Sequence, residues 1–223
     1  MPYKAIRKNP SAMQVDPKIL AALREMPVAA LSDNMHRNIG TTGLNPYHRP
    51  IARTMAGTAV TARSRGGDNL TYLRALEFCR PGDVLVIDAG GILNNAVVGG
   101  ILSFYAAHIG VLGVVVDGAI RDVAEIRARE FPVYARGVTH RGPYKDGPGE
   151  INVPVSVGGM VVNPGDIVVG DQDGLMAFAP DEAELLIEKA RAHLETEAET
   201  IRAMKEGRWD RSFIDALEAR CAN

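Results

Sequence analysis

Three short apolar runs limit what this chain can fold into. Val84 to Ile87, Val111 to Val116 and Pro132 to Ala135 are nearly continuous in aliphatic residues. Strands with one wet face alternate apolar and polar residues, whereas strands covered on both faces do not. Between the runs lie stretches of helical pattern, about 94–109 and about 120–130. Strand, helix, strand in this rhythm predicts βαβ units with parallel pairing buried between layers, so the expected class is α/β.

The flanking sequence fills in the frame. Residues 17–27 read as a helix, with Asp16 as N-cap and Pro17 at its first position. A second short helix is expected from Ser32 to Asn38, a loop over 39–56, an alternating strand over 57–64, and a helix from a cap at Asp68 to about Arg80. Residues 137–149 form a long segment rich in glycine and proline, and segments of that kind are often functional. Several short strands should follow over 150–178. There Pro164-Gly165-Asp166 repeats the earlier Pro81-Gly82-Asp83, and both are expected to be turns feeding strands. A long helix from Pro180 to about Gly207 and a short one over 210–221 complete the pattern. The expected division is one α/β domain over 1–207 and a C-terminal helical tail over 208–223.

Composition narrows the function. At 223 residues, 46% hydrophobic and 23% charged, the chain can build an ordinary core. Its formal charge of −2 gives no reason to expect nucleic acid or an anionic membrane as partner. The two cysteines form no CxxC pair, which argues against a disulfide scaffold or a structural zinc site. The charged N-terminus lacks the apolar stretch of a signal peptide, and no apolar run is long enough to span a bilayer, so a cytoplasmic protein is expected.

The inventory of reactive side chains is equally selective. A Schiff-base scheme needs a buried lysine, yet none of the six lysines lies between residues 19 and 144. Gly-x-Ser-x-Gly is absent, and the five histidines form neither HxH nor HExxH. Carboxylates, arginines and glycine-rich backbone remain, a set suited to a hard cation such as Mg²⁺. The pair Arg121-Asp122 follows the run Val114-Val115-Val116-Asp117-Gly118-Ala119-Ile120, where α/β folds place ligands beyond strand ends. Asp122 could hold a metal while Arg121 forks onto the oxygens of the same ligand. The pair would serve equally well as a helix-terminus complement and an ordinary ion pair. Gly99-Gly100, before Ile101 and Leu102, would let backbone approach a ligand closely, or would let helices pack.

Taken together, Gly99-Gly100-Ile101-Leu102, Val116 to Asp122, Ala135 to Gly147 and Asn163 to Asp171 resemble the family that contains 4-hydroxy-4-methyl-2-oxoglutarate aldolase and the RraA-type regulators of ribonuclease E. The resemblance spans roughly 28–207. It implies an α-β-β-α sandwich of the swivelling β/β/α type, and homotrimers or stacked hexamers with active sites between subunits. It further implies that Asp122 holds Mg²⁺ or Mn²⁺ and that Arg121 binds the 2-oxo acid and stabilises the pyruvate enolate. The backbone N–H groups of Ile101 and Leu102, after Gly99 and Gly100, would hold the substrate carboxylate. A glutamate of a neighbouring C-terminal helix, with Glu197 preferred over Glu199, would join the site. The implied reaction is cleavage of a 4-hydroxy-2-oxo acid to pyruvate, with decarboxylation of oxaloacetate as a side activity.

One departure stands out. The aldolases of this family carry an acid 21 residues before the arginine, and this chain has Gly100 there. Gly100→Asp is accordingly expected to raise turnover. The rival expectation is a non-catalytic regulator that binds ribonuclease E or another protein; in the resemblance such regulators lack the intact Arg-Asp pair. A menaquinone-pathway methyltransferase, a label also linked to this family, is disfavoured because no nucleotide-cofactor motif is present.

Overall fold

A computed structural model describes residues 6–221, so the outermost residues of the expected domain and tail lie outside it. The elements in chain order are β1 (Ile6–Lys8), α1 (Pro17–Leu23), α2 (Val28–Asp33), β2 (Asn45–Pro46), β3 (Met55–Ser64), α3 (Leu70–Ala75), β4 (Asp83–Asp88), β5 (Ala96–Val98), α4 (Gly100–His108), β6 (Gly113–Ile120) and α5 (Val123–Arg127). They continue with β7 (Val133–Val138), β8 (Gly149–Ile151), β9 (Val155–Val157), β10 (Met160–Val162), β11 (Ile167–Gly170), β12 (Leu175–Phe178), α6 (Ala183–Lys205) and α7 (Phe213–Cys221).

The central sheet runs β1-β8-β3-β4-β6-β7-β2. Its middle, β3-β4-β6-β7, is parallel, as the βαβ rhythm predicts. Alternate residues of the apolar runs enter two different cores, which explains why the runs are continuous. Leu85, Ile87, Val114 and Val116 pack with Tyr72, Ala106 and Ile126 beneath α3, α4 and α5. Val84, Val86 and Val115 pack on the opposite face with Val155, Val157, Met160 and Val162 of the β9–β10 hairpin. A third core joins α1, α2 and α6 to β11 and β12. Each fully buried aliphatic side chain of this kind contributes about 1.5–3 kcal/mol before conformational entropy is counted.

Local expectations were met where the determinant is local. Asp16 caps α1 by accepting the Lys18 N–H at 2.8 Å. The two Pro-Gly-Asp turns are the same structure. Gly82 and Gly165 take φ of +96° and +92°, and each aspartate accepts a backbone N–H three residues earlier, from Arg80 and Asn163. Expectations failed where tertiary pairing intervened. Residues 94–98 are not helical; Ala96–Val98 forms β5 against β6. The second helix spans Val28–Asp33 rather than Ser32 to Asn38, because His36 and Arg37 take positive φ and cannot continue it. Strand β3 shows no alternation: of its ten residues only Arg63 is exposed, since both faces are covered.

The loop before β3 is tied to β7 by buried His48. Its Nδ1 accepts the Val133 N–H at 3.1 Å and its ring packs edge-on to Tyr134. Burial lowers the His48 pKa from 6.5, against a smaller opposing contribution from the Val133 backbone. The unfolded chain therefore takes up this proton at higher pH than the folded chain. As pH falls from 6.5 through the lowered value, stability is lost. His48→Gln is expected to flatten this part of the pH–stability curve in urea melts; an unchanged slope would refute the assignment.

Candidate active site

The arginine and aspartate singled out in the sequence stand together at the carboxyl end of β6. Backbone pairing delivers them there, with Arg121 N donating to Val98 O at 2.9 Å. Asp122 then takes φ +59° and ψ +37°, a left-handed conformation that is uncommon outside glycine. Backbone strain of this sort clusters at functional sites. The turn directs the Asp122 side chain away from its own helix α5 and across to α4, where Oδ2 accepts the Gly100 N–H at 2.9 Å. Arg121 Nε lies 3.6 Å from the same oxygen.

The glycines make this approach possible. A Cβ on Gly99 would stand 2.5 Å from Asp122 Oδ2 and 3.1 Å from Arg121 Cγ. Any side chain there would push the helix start off the Arg-Asp pair. The first three N–H groups of α4 have no partner within the helix. Asp122 takes that of Gly100, which leaves those of Ile101 and Leu102 at the cleft. The cleft is small, about 40 Å³, and is lined by Asn69, Ala96, Val97, Val98 and Pro143 together with Arg121 and Asp122. The long loop closes one side, because Gly142 sits so near Arg121 that an added Cβ would be 3.0 Å from Nη1.

That loop is held by a buried carboxylate. Asp68, expected only as a helix cap, does accept the Leu70 N–H at 2.9 Å. Its other oxygen accepts the N–H groups of Asp146 and Gly147, at 2.6 and 3.0 Å.

Gly99, Gly100, Ile101, Leu102, Arg121 and Asp122 therefore come together as one constellation. Asp117, from the same motif, does not join them. It is buried, accepts the Gly158 N–H at 2.8 Å and pairs with Arg136 Nε at 2.5 Å, which raises the Arg136 pKa. Glu197 does not line the cleft of its own chain. It pairs with His193 at 3.1 Å beside a wide groove of about 740 Å³ between the end of α2 and α6. That groove is larger than the cleft, and Arg37 pairs with Asp33 in it at 2.9 Å, but it contains no glycine-rich helix start. Lys145 is exposed and outside the cleft. Burial pushes the Cys79 thiol up to about 12, with Asp83 adding to the shift, so it is no nucleophile.

Two residues near the site escaped the sequence reading. Glu125 folds back over Gly100, and Arg129 donates from Nη1 to Gly100 O at 3.3 Å. The available signal was helical spacing, since Glu125 lies one turn beyond Asp122.

Among the described residues no group of three or more His, Cys, Asp or Glu could hold a metal. Mg²⁺ and Mn²⁺ are bound by carboxylate oxygens, and Mg²⁺ keeps several waters while taking one or two carboxylates. Asp122, with one oxygen on the Gly100 N–H, fits that requirement.

A family model described as RraA-like, Aldolase/RraA, matches residues 28–177. A protein of Halalkalibacterium halodurans, named provisionally as a 4-hydroxy-4-methyl-2-oxoglutarate aldolase, is 37% identical over 80% of this chain and 84% of its own length. A 4-hydroxy-4-methyl-2-oxoglutarate aldolase of Thermus thermophilus is 40% identical over 49% of this chain and 66% of its own. Among solved structures, RraAS2 of Streptomyces coelicolor, described as an unusual member of the RNase ES inhibitor RraA family, superposes with a TM-score of 0.75. It is 28% identical and covers 84% of this chain and 97% of that one.

Proposed function

Since the chain belongs to the RraA-like family, we propose that it is a divalent-metal-dependent aldolase. Its substrate class is 4-hydroxy-2-oxo acids such as 4-hydroxy-4-methyl-2-oxoglutarate, cleaved to pyruvate, and it decarboxylates oxaloacetate by the same enolate chemistry. The observation that carries this reading is Arg121-Asp122 turned onto the start of α4, where the N–H groups of Ile101 and Leu102 are left for an anion.

The residues divide the work. The N–H groups of Ile101 and Leu102 take the substrate carboxylate, aided by the positive end of the α4 dipole. Arg121 donates to the 2-oxo oxygen, where negative charge grows as the C3–C4 bond breaks and its electrons pass into the enolate. Asp122 would hold Mg²⁺ or Mn²⁺. When bound, that ion supplies Lewis-acid polarisation of the 2-oxo group. Ala96 to Val98 and Pro143 give the cleft an apolar wall.

The reading includes a homotrimer, or a hexamer of stacked trimers, in which the partner subunit's Glu197 reaches the cleft. Ile101, 80% exposed, stands with exposed Phe104 and Tyr105 on α4 beside the cleft, which supports a subunit contact there. It also includes a cytoplasmic location; no helix among the described residues is long and apolar enough to cross a membrane. The likeness to RraAS2 favours a second reading, a non-catalytic regulator that binds ribonuclease E or another protein.

The test is pyruvate release from 4-hydroxy-4-methyl-2-oxoglutarate and from oxaloacetate, coupled to lactate dehydrogenase, with Mg²⁺ and with EDTA. Release that EDTA abolishes is expected. No release from either acid, together with binding to ribonuclease E, would establish the regulator instead. Release indifferent to EDTA would remove the metal from the reading.

A further inference from the structure

Asn69 stands one residue before α3, the position from which an asparagine side chain usually caps a helix. It does not do so here: its side chain accepts no hydrogen bond from the helix start. Asp68 has taken over that end, accepting the Leu70 N–H at 2.9 Å. Backbone bonds hold Asn69 in place, since its N–H donates to Tyr144 O and its carbonyl accepts from Leu73 N, each at 3.0 Å. The side chain is thereby left free, and Asn69 lines the cleft with Arg121, Asp122 and the start of α4.

Asn69 is only 4% exposed, and its Oδ1 is buried with no hydrogen-bond partner. Buried acceptors in folded proteins are nearly always paired, so an unpaired one on a cleft-lining residue marks a place for a donor on the ligand. The side chains of Ala96, Val97, Val98 and Pro143 offer none. The proposed substrate offers one. At neutral pH its carboxylates and its 2-oxo oxygen can only accept, which leaves the C4 hydroxyl as its single donor. Oxaloacetate in its keto form has no O–H to give.

We infer that Asn69 recognises the C4 hydroxyl of the substrate, its Oδ1 accepting that O–H while the Ile101 and Leu102 N–H groups hold the C1 carboxylate and Arg121 the 2-oxo oxygen. The inference rests on the aldolase reading and adds a specificity-determining residue to it. Asn69 moves no proton; it holds C4 in one orientation as the C3–C4 bond breaks. One small cleft carries all of these groups in its lining, so a single short acid reaches them together. A site built to pair with a hydroxyl favours the hydroxy acid over an analogue that leaves the buried acceptor alone. Asn69 therefore biases the site toward cleavage of hydroxy acids and away from decarboxylation of oxaloacetate.

The test measures pyruvate release from 4-hydroxy-4-methyl-2-oxoglutarate and from oxaloacetate, with Mg²⁺, by the wild type, Asn69→Leu and Asn69→Ala. It adds inhibition by 4-methyl-2-oxoglutarate, the same acid without its hydroxyl. Leucine keeps the branch at Cγ and removes the acceptor, and alanine removes it without adding bulk. In both variants the ratio of kcat/KM for the hydroxy acid to that for oxaloacetate should fall by at least about tenfold. The Ki of the deoxy acid should stay within about threefold of wild type, because that acid never engages Oδ1. The urea midpoint of Asn69→Leu should not fall, since an apolar group replaces a buried acceptor that had no partner. A ratio within about threefold of wild type in both variants would overturn the inference. A deoxy-acid Ki that rises together with the KM of the hydroxy acid would overturn it too, by giving the amide to a carboxylate instead. A wild type that releases pyruvate from neither acid overturns the aldolase reading itself. A wild type active on both acids, with the ratio unchanged in the variants, overturns this inference alone.

Discussion

An Arg121→Ala chain is expected to fold normally and to lose about 10³-fold in kcat/KM for pyruvate release. The separation of the two effects follows from geometry. The Arg121 side chain is about half exposed, and its link to the fold is the backbone bond from its N–H to Val98 O, which alanine keeps. Truncation therefore leaves no buried group without a partner, and stability should change by no more than about 0.5 kcal/mol. Under the proposed reaction the rate loss is large because the guanidinium stands where charge would develop. Removing one such donor in a water-poor site typically costs about 10²–10³-fold, and a charged, forked donor lies at the upper end of that range. Arg121→Lys should recover only part of the loss, since an ammonium cannot fork onto two oxygens. Steady-state kinetics alongside urea melts would check both halves. A rate loss of less than about tenfold would mean that the enolate charge is held elsewhere. Asp122→Asn makes the complementary test, because its amide oxygen can still accept the Gly100 N–H while the negative charge is gone. It should keep the fold and lose Mn²⁺ binding.

The second large effect is on stability, and it comes from outside the cleft. Asp68→Ala should destabilise the chain by about 3–5 kcal/mol. Asp68 is fully buried, and its carboxylate accepts three backbone N–H groups, from Leu70, Asp146 and Gly147. Alanine would orphan all three donors. Two belong to the long glycine-rich loop, which carries Pro143 into the cleft and Gly142 against Arg121. A rise in KM should therefore accompany the fall in stability, and Asp68→Asn should be intermediate in both. Destabilisation without any change in KM would show that the loop does not shape the site.

The limits of legibility follow the same division between local and distant contacts. Asp16 and Pro17 announced a helix start, and two Pro-Gly-Asp triplets announced two identical turns, because each structure is determined within a few residues. The run from Val114 to Ile120 was recognisable as a buried strand ending at Arg121-Asp122, because burial on both faces leaves a continuous apolar signature. Residues 94–98 read as helix because their pairing partner, β6, lies some distance along the chain and leaves no periodic trace in the segment itself. The fold class, and the position of Arg121 and Asp122 at the end of a buried strand, were thus determined by sequence. The tertiary structure alone decided that Asp122 turns to α4 instead of capping α5, that Gly99 must lack a side chain, and that Glu125 fills the space above Gly100. Residues 100 and 125 come together only because α4 and α5 pack side by side over the sheet. A contact made by that packing depends on strand order and helix placement, and neither is written in the spacing of the residues that meet.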